Sequence, residues 1–129
     1  MTTELTYLAY TALLTAVLWI PYVVSQVISN GPLKPDNYNN PTPRPVPLWG
    51  TRAHRAYLNA VEVFAPFAVL VIVIHIAGKE TPTTAMLVIA FFWLRLLHAV
   101  VYFTAVPYVR TVSFTLAFCC VVGLFVQLM

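Results

Sequence analysis

The sequence has 129 residues, of which 60% are hydrophobic and only 9% are charged, and its formal net charge is +3 at pH 7. A soluble domain carries about 25% charged residues, so this composition excludes an ordinary soluble fold and indicates one short integral membrane domain, residues 1–129. The small, dispersed positive charge, without any basic run, excludes a nucleic-acid-binding protein.

The first predicted element is a membrane span over about residues 5–28, long enough to cross a hydrocarbon core of about 30 Å. The N-terminus lacks the basic segment of a signal peptide, so we expect this span to be retained. Pro21 lies inside the span and is expected to kink it. The proline-rich segment 30–50 follows, and we expect it to be an extended loop at the membrane interface.

Three further spans are predicted, over about residues 52–77, 82–105 and 107–128. Thr51 is a candidate N-cap for the second of them, and Pro66 is expected to bend that helix. The sequence therefore predicts an all-α integral membrane protein, a bundle of four transmembrane helices. Because the number of spans is even, both termini are expected on the same side of the membrane.

The basic residues predict an orientation for these spans. Lys34, Arg44 and Arg52 lie in or next to the first loop, and Arg110 follows the third connection, whereas the opposite side has only Lys79. The positive-inside rule then places the first and third connections in the cytoplasm and both termini on the opposite side.

A polar stripe runs along the second predicted span. Arg55, Asn59 and Glu62 follow the spacing i, i+4 and i+7, so on a helix they share an arc of roughly 60°; they are termed the Glu62 stripe. A charged side chain at the bilayer centre costs about 2.5 to 3.5 kcal/mol on insertion scales. Such groups are therefore expected to be paired or to have a function.

A second polar stripe lies in the third span, where Arg95, His98 and Tyr102 follow the spacing i, i+3 and i+7; they are termed the Arg95 stripe. At about 1.5 Å per residue, Glu62 lies roughly 15 Å and Arg95 roughly 18 Å from the cytoplasmic ends of their helices. We therefore expect the two to meet at the same depth, across a cavity that opens to the cytoplasm and closes near mid-membrane.

The chemistry of this cavity indicates its ligand. Arg55, Arg95 and Arg110 outnumber Glu62, and arginine grips carboxylates with two hydrogen bonds. Glu62 offers an acceptor for an amine or amide. Glutathione carries carboxylates, an amine and peptide groups, and a nearby Arg110 would favour the thiolate form of its thiol. A lipophilic electrophile could then approach from the lipid side.

Three motifs carry a family resemblance: Arg-x-x-x-Asn-x-x-Glu-x-x-x-Pro at 55–66, Arg-x-x-His-x-x-x-Tyr at 95–102, and Pro-x-x-Arg-Thr-Val-Ser-Phe-Thr-Leu-Ala at 107–117. Together they resemble the MAPEG family (membrane-associated proteins in eicosanoid and glutathione metabolism), and most of all its microsomal prostaglandin E synthase branch. The resemblance spans about residues 50–118, with a weaker match at Gln26–Ser29.

The resemblance implies a homotrimer of four-helix protomers with glutathione, the one cofactor expected, bound between neighbours. It implies that Arg110 stabilises the thiolate and that Thr111 stands where some members have a serine near the thiol. The residues it assigns to the glutathione site are Arg55, Asn59, Glu62, Arg95, His98 and Tyr102. The implied function is a glutathione-dependent transferase or peroxidase acting on a lipophilic electrophile in the lipid bilayer.

Two other functions stay open. Several family members carry a basic residue at the end of the first helix, where this chain has Asn30-Gly31-Pro32, although Lys34 or Arg44 could substitute. Without that residue the protein could bind a lipid and catalyse nothing. Four short spans and a membrane glutamate also describe a small proton-coupled exporter, although the arginine neighbours of Glu62 fit such a protein less well.

Several of these residues also have plainer interpretations. The Glu62–Arg95 pair could be purely structural, Arg110 could be an interfacial anchor, and His98 could simply bond across helices. Cys119 and Cys120 are adjacent within an apolar run, so we expect small hydrophobic side chains there and neither a disulfide nor a metal site.

Overall fold

A computed structural model describes residues 1–129 and shows only helices and connecting segments. The helices are α1 (Thr3–Val17), α2 (Ile20–Asn30), α3 (Pro35–Asn39), α4 (Leu48–Ile76), α5 (Pro82–Phe103) and α6 (Pro107–Leu128). Four segments are long and apolar enough to cross a membrane: α1 with α2, α4, α5 and α6. The chain is therefore an integral, multi-pass membrane protein, and the predicted four-helix fold class is confirmed.

The first span is broken into two helices rather than kinked. α1 ends at Val17 and α2 begins at Ile20, with Leu18 and Trp19 between them. Pro21 follows at the start of α2; it has no N–H to donate to the carbonyl of Val17, and in a continuous helix its ring would clash with that carbonyl. The break therefore precedes the proline by one helical turn.

The second span begins four residues before the predicted position, and Pro47 rather than Thr51 is its N-cap residue. The backbone N–H groups of Gly50 and Thr51 donate to the Pro47 carbonyl at 2.9 and 3.2 Å. Gly50 also lies against α2, where a Cβ atom at this position would come within 2.3 Å of the Ser25 hydroxyl oxygen. This close approach fixes α2 against the first turn of α4.

The apolar core is shared by α4, α5 and α6. At its centre the rings of Phe67 and Phe91 stack with centroids 3.8 Å apart, and both residues are buried. Cys120 packs in the same cluster as a small hydrophobic side chain, whereas Cys119 is exposed. This core holds α6 against α4 and α5, so the polar residues of the three helices keep a fixed relative position.

A row of small side chains, the alanine row, lies along the first half of α4. Ala53, Ala56 and Ala60 are all buried, and α4 packs against α1, α2, α5 and α6. Because lipid tails are as apolar as the helices, helix association in a membrane depends on close van der Waals contact, which small residues permit. The alanine row therefore allows α4 to occupy the centre of the bundle.

Both ends of the chain contact the turn between α4 and α5. The Lys79 ammonium donates to the carbonyl of Leu128, and His75 pairs with Glu80 at 2.9 Å. Hydrogen bonds from the Thr2 hydroxyl and from His75 hold the pKa of the Glu80 carboxyl below its ordinary value. The two termini therefore lie at one end of the bundle.

A buried carboxylate joins α1 to α5. Glu4 is only 3% exposed, and the Thr84 hydroxyl donates to its Oε1 at 2.6 Å. We expect Thr84→Val, which keeps the side-chain shape, to lower the free energy of unfolding by about 1–3 kcal/mol, because it leaves this carboxylate without its donor and the Thr81 N–H without its side-chain acceptor. Thermal unfolding in detergent would measure the change, with Thr83→Val at an exposed position as the control. Equal melting temperatures for the two variants would contradict the assigned role.

Candidate functional site

A cleft of about 200 Å³ opens where α4, α5 and α6 meet. Its lining residues are Asn59, His98, Tyr102, Arg110, Thr111 and Phe114. Five of these six are among the eight site residues that the sequence predicts, and they come from three different helices. Phe114 is the addition; it follows Arg110 by four residues on α6 and therefore shares its helix face.

Arg110 lies over the aromatic ring of Tyr102. The guanidinium carbon is 4.8 Å from the ring centroid, which is the distance of a cation–π contact. α6 begins at Pro107, after a tight turn in which Ala105 adopts a positive φ of 65° and Val106 donates to the Val101 carbonyl. This turn places Arg110 in the first turn of α6. Its side chain is exposed and makes no hydrogen bond within the protomer, so its N–H groups are free to meet an anion.

Arg95 reaches Asn59 across the α4–α5 contact. Its Nη2 donates to the Asn59 Oδ1 at 2.8 Å, while its Nη1 has no partner, and the side chain is 3% exposed. The neighbouring His98 is buried as well, and its Nδ1 is also unpaired. A buried polar group without a partner costs about 1–3 kcal/mol, so such groups in native proteins usually serve a ligand, a water or another chain.

The predicted ion pair between Glu62 and Arg95 does not form within the protomer, so this prediction is wrong. Glu62 and Arg55 are exposed, and no lysine or arginine side chain of the chain lies within ion-pair distance of a carboxylate. With roughly 100° of rotation per residue, Glu62 and Arg55 lie roughly opposite the buried alanine row of α4. The Glu62 stripe does occupy one helix face, but that face points out of the protomer and only Asn59, at its edge, reaches α5.

In place of the predicted cavity between Glu62 and Arg95, which was expected to open to the cytoplasm and close near mid-membrane, the protomer has an open cleft at its edge. No carboxylate lines it, whereas Arg110 lines it and Arg95 lies behind it, bonded to its wall residue Asn59. This arrangement favours an anionic ligand, because guanidinium groups bind carboxylates with paired hydrogen bonds. The Thr111 hydroxyl is exposed at the same place and can donate one further hydrogen bond.

Comparison with protein families gives one match, a profile described as the MAPEG family, over residues 5–129. No curated protein shows a significant match. The family match covers all four membrane spans and the cleft. It favours the glutathione-dependent and lipid-binding functions over the small proton-coupled exporter, which is a different class of four-helix membrane protein.

Proposed function

Since this chain belongs to the MAPEG family, we propose that it is a glutathione-dependent membrane transferase or peroxidase that acts on a lipophilic electrophile. One observation carries the proposal: Arg110 lies exposed over Tyr102, without a hydrogen-bond partner in the protomer, in a cleft that has no carboxylate. An anion is the partner that such a guanidinium favours.

The residues around the cleft fit glutathione. Arg95 and His98 each hold a buried nitrogen that the protomer leaves unpaired, and Tyr102 and Asn59 add neutral hydrogen-bonding groups. When bound, glutathione supplies a thiol whose thiolate form is the nucleophile. Arg110 would stabilise the negative charge of that thiolate. The Tyr102 ring beneath the guanidinium would keep the guanidinium in position.

The exposed charges of the Glu62 stripe support an oligomer with the site between protomers, and the family resemblance implies that this oligomer is a homotrimer. Arg55 and Glu62 face outward from a membrane helix without a partner in the chain. Leaving a charge toward lipid costs about 2.5–3.5 kcal/mol at the bilayer centre and less toward the interface, so the cost is larger for Glu62 than for Arg55, which lies seven residues nearer the start of α4. In the proposed assembly a neighbouring protomer covers this face, and Glu62 accepts a hydrogen bond from the amine or an amide of glutathione.

The proposed orientation lets the two substrates enter by different routes. With the first and third connections in the cytoplasm, as the basic residues predict, the cleft beside Arg110 opens toward cytoplasmic glutathione. The lipophilic electrophile would reach the cleft from the bilayer, past the exposed apolar side chains of α6 such as Val112 and Phe118.

The end of the first span predicts weak glutathione binding. Asn30-Gly31-Pro32 carries no basic side chain, Lys34 is exposed, and Arg44 donates to the Gly31 carbonyl at 3.2 Å. The Arg44 side chain lines a separate cavity under the loop and does not line the cleft. We therefore expect a glutathione dissociation constant in the millimolar range rather than the micromolar range.

The direct test uses the purified protein in detergent. We expect millimolar glutathione to raise the melting temperature, because a ligand that binds only the folded state stabilises it. We also expect glutathione-dependent conjugation of a generic aryl halide or reduction of a lipid hydroperoxide. S-methylglutathione, which has no thiol, should stabilise the protein and support no turnover. If glutathione neither stabilises the protein nor supports turnover, the proposal is overturned. Stabilisation by a lipid would then favour the non-catalytic lipid-binding alternative only if Arg110→Met, a variant in the cleft, loses it.

A further inference from the structure

A second and larger cavity lies under the first loop. It measures about 740 Å³, within the range of about 300–1,000 Å³ that small-molecule sites occupy. α2, the loop 31–47 and the start of α4 line it, it is open to the outside, and it shares no lining residue with the cleft. We propose that this cavity, termed the loop cavity, binds the headgroup of an anionic phospholipid. The proposal is independent of the glutathione chemistry of the cleft.

The charge of the loop cavity favours an anion. Arg44 lines it and no carboxylate does. The surrounding chain has the same bias, since Asp36 is the only acidic residue between positions 5 and 61, a segment that holds four basic residues. A net positive segment beside a membrane span attracts anionic lipids, although its basic residues are dispersed here and Arg44 is the one that lines the cavity.

The wall of the loop cavity changes from polar to apolar along α2. Tyr22, Gln26 and Asn37 present hydrogen-bonding groups, whereas Val23 and Val27 are apolar. Both valines are also 40% or more exposed on the outer face of a membrane-spanning segment. A headgroup in the cavity could therefore continue into an acyl chain lying along α2, which a soluble anion could not exploit.

Specific contacts hold the loop cavity open. The rings of Tyr22 and His54 stack at 4.1 Å and tie α2 to α4. The Asn30 amide donates to the Pro45 carbonyl at 2.8 Å, and Arg44 donates to the Gly31 carbonyl, so the loop closes back on the end of α2. The prolines of the loop fix their own backbone angles and so limit its collapse. The cavity is therefore a built feature of the fold.

The test is the thermal unfolding of the full-length protein in detergent with added lipid. We expect phosphatidylglycerol to raise the melting temperature by about 4 °C more than phosphatidylcholine does. Arg44→Ala should lose this difference, whereas Lys34→Ala, which removes the same charge from an exposed position on the same loop, should keep it. Gln26→Glu, nearly identical in shape, brings a negative charge into the cavity and should also lose the difference.

The outcomes separate the sources of the anion. An equal shift by the two lipids overturns the proposal, as does a difference that survives in both Arg44→Ala and Gln26→Glu. An equal shift by glycerol 3-phosphate also overturns it, because the cavity would then take a soluble phosphate ester. If Arg44→Ala does not fold, the comparison of Gln26→Glu with the unchanged protein tests the proposal by itself. Gln26→Glu keeps the contact between Arg44 and Gly31.

Discussion

Arg110→Met is expected to lower kcat/KM for glutathione-dependent turnover by about 10²- to 10³-fold, the usual loss when a positioned group that stabilises developing charge is removed. The guanidinium lies over Tyr102 with all its N–H groups free, so it can oppose the charge of the thiolate without first breaking another contact. We expect most of the loss in kcat, because the thiolate charge matters more for the reaction than for binding.

A pH profile separates this role from a structural one. If Arg110 favours the thiolate, the rate of the unchanged enzyme should level off at a lower pH than that of Arg110→Met, whose rate should keep rising toward the ordinary thiol pKa of about 8.5. Arg110→Lys should retain part of the rate, and Lys34→Met, which loses a charge far from the cleft, should retain all of it. An unchanged rate and profile in Arg110→Met would remove this residue from the mechanism.

Asn59→Leu is expected to destabilise the fold by about 1–3 kcal/mol or more, because it removes the one hydrogen bond that Arg95 makes in the protomer. The guanidinium would then be buried with no partner at all. Thermal or denaturant-induced unfolding in detergent measures the loss of stability. Asn59→Asp keeps an acceptor at the same position and should be at least as stable as the original.

The double variant gives the more decisive result. Replacing a buried polar pair by apolar residues is often neutral, so Asn59→Leu with Arg95→Met should recover much of the stability lost in Asn59→Leu alone. It should nevertheless fail to bind glutathione, because both polar groups are absent. Additive losses of stability in the two single variants and the double variant would show that the two side chains do not act as a pair.

Hydropathy was sufficient to predict the four spans because the requirement for about 20 apolar residues per crossing is strict. Local boundaries depended on finer contacts. α4 begins at Leu48 because Pro47 accepts the first N–H groups and Gly50 fits against Ser25, and neither fact follows from apolar periodicity. The break after Val17 was closer to prediction, because the steric effect of Pro21 acts within one helical turn.

The positions of the predicted site residues were easier to predict than their arrangement. Spacing correctly grouped Arg55, Asn59 and Glu62 on one helix face, and five residues named from spacing or from the family resemblance line one cleft; their part in binding or catalysis stays a prediction. It could not tell whether that face meets another helix of the same chain or points outward, because a polar stripe has the same period in both cases. The prediction that Arg95 pairs with Glu62 was wrong for this reason, and Arg95 pairs with Asn59 instead.

Contacts between distant parts of the chain were outside the reach of sequence patterns. The bond from Thr84 to Glu4 joins residues 80 positions apart, and neither stands in a motif. The loop cavity likewise depends on how segment 31–47 folds back on α2, which its proline content alone does not determine.

The alanine row of α4 has a consequence for which substitutions the protein can accept. Ala53, Ala56 and Ala60 are 3–5% exposed at the centre of the bundle, where helix contact depends on closeness rather than on removal of apolar surface from water. Ala53 and Ala56 line a groove of about 250 Å³ between α2, α4 and α5, so a larger apolar side chain has room there. At Ala60, serine or glycine should be accepted although each is more polar, whereas leucine should not be, although it suits a membrane better. Side-chain volume, not hydrophobicity, is the property that limits variation at this last position.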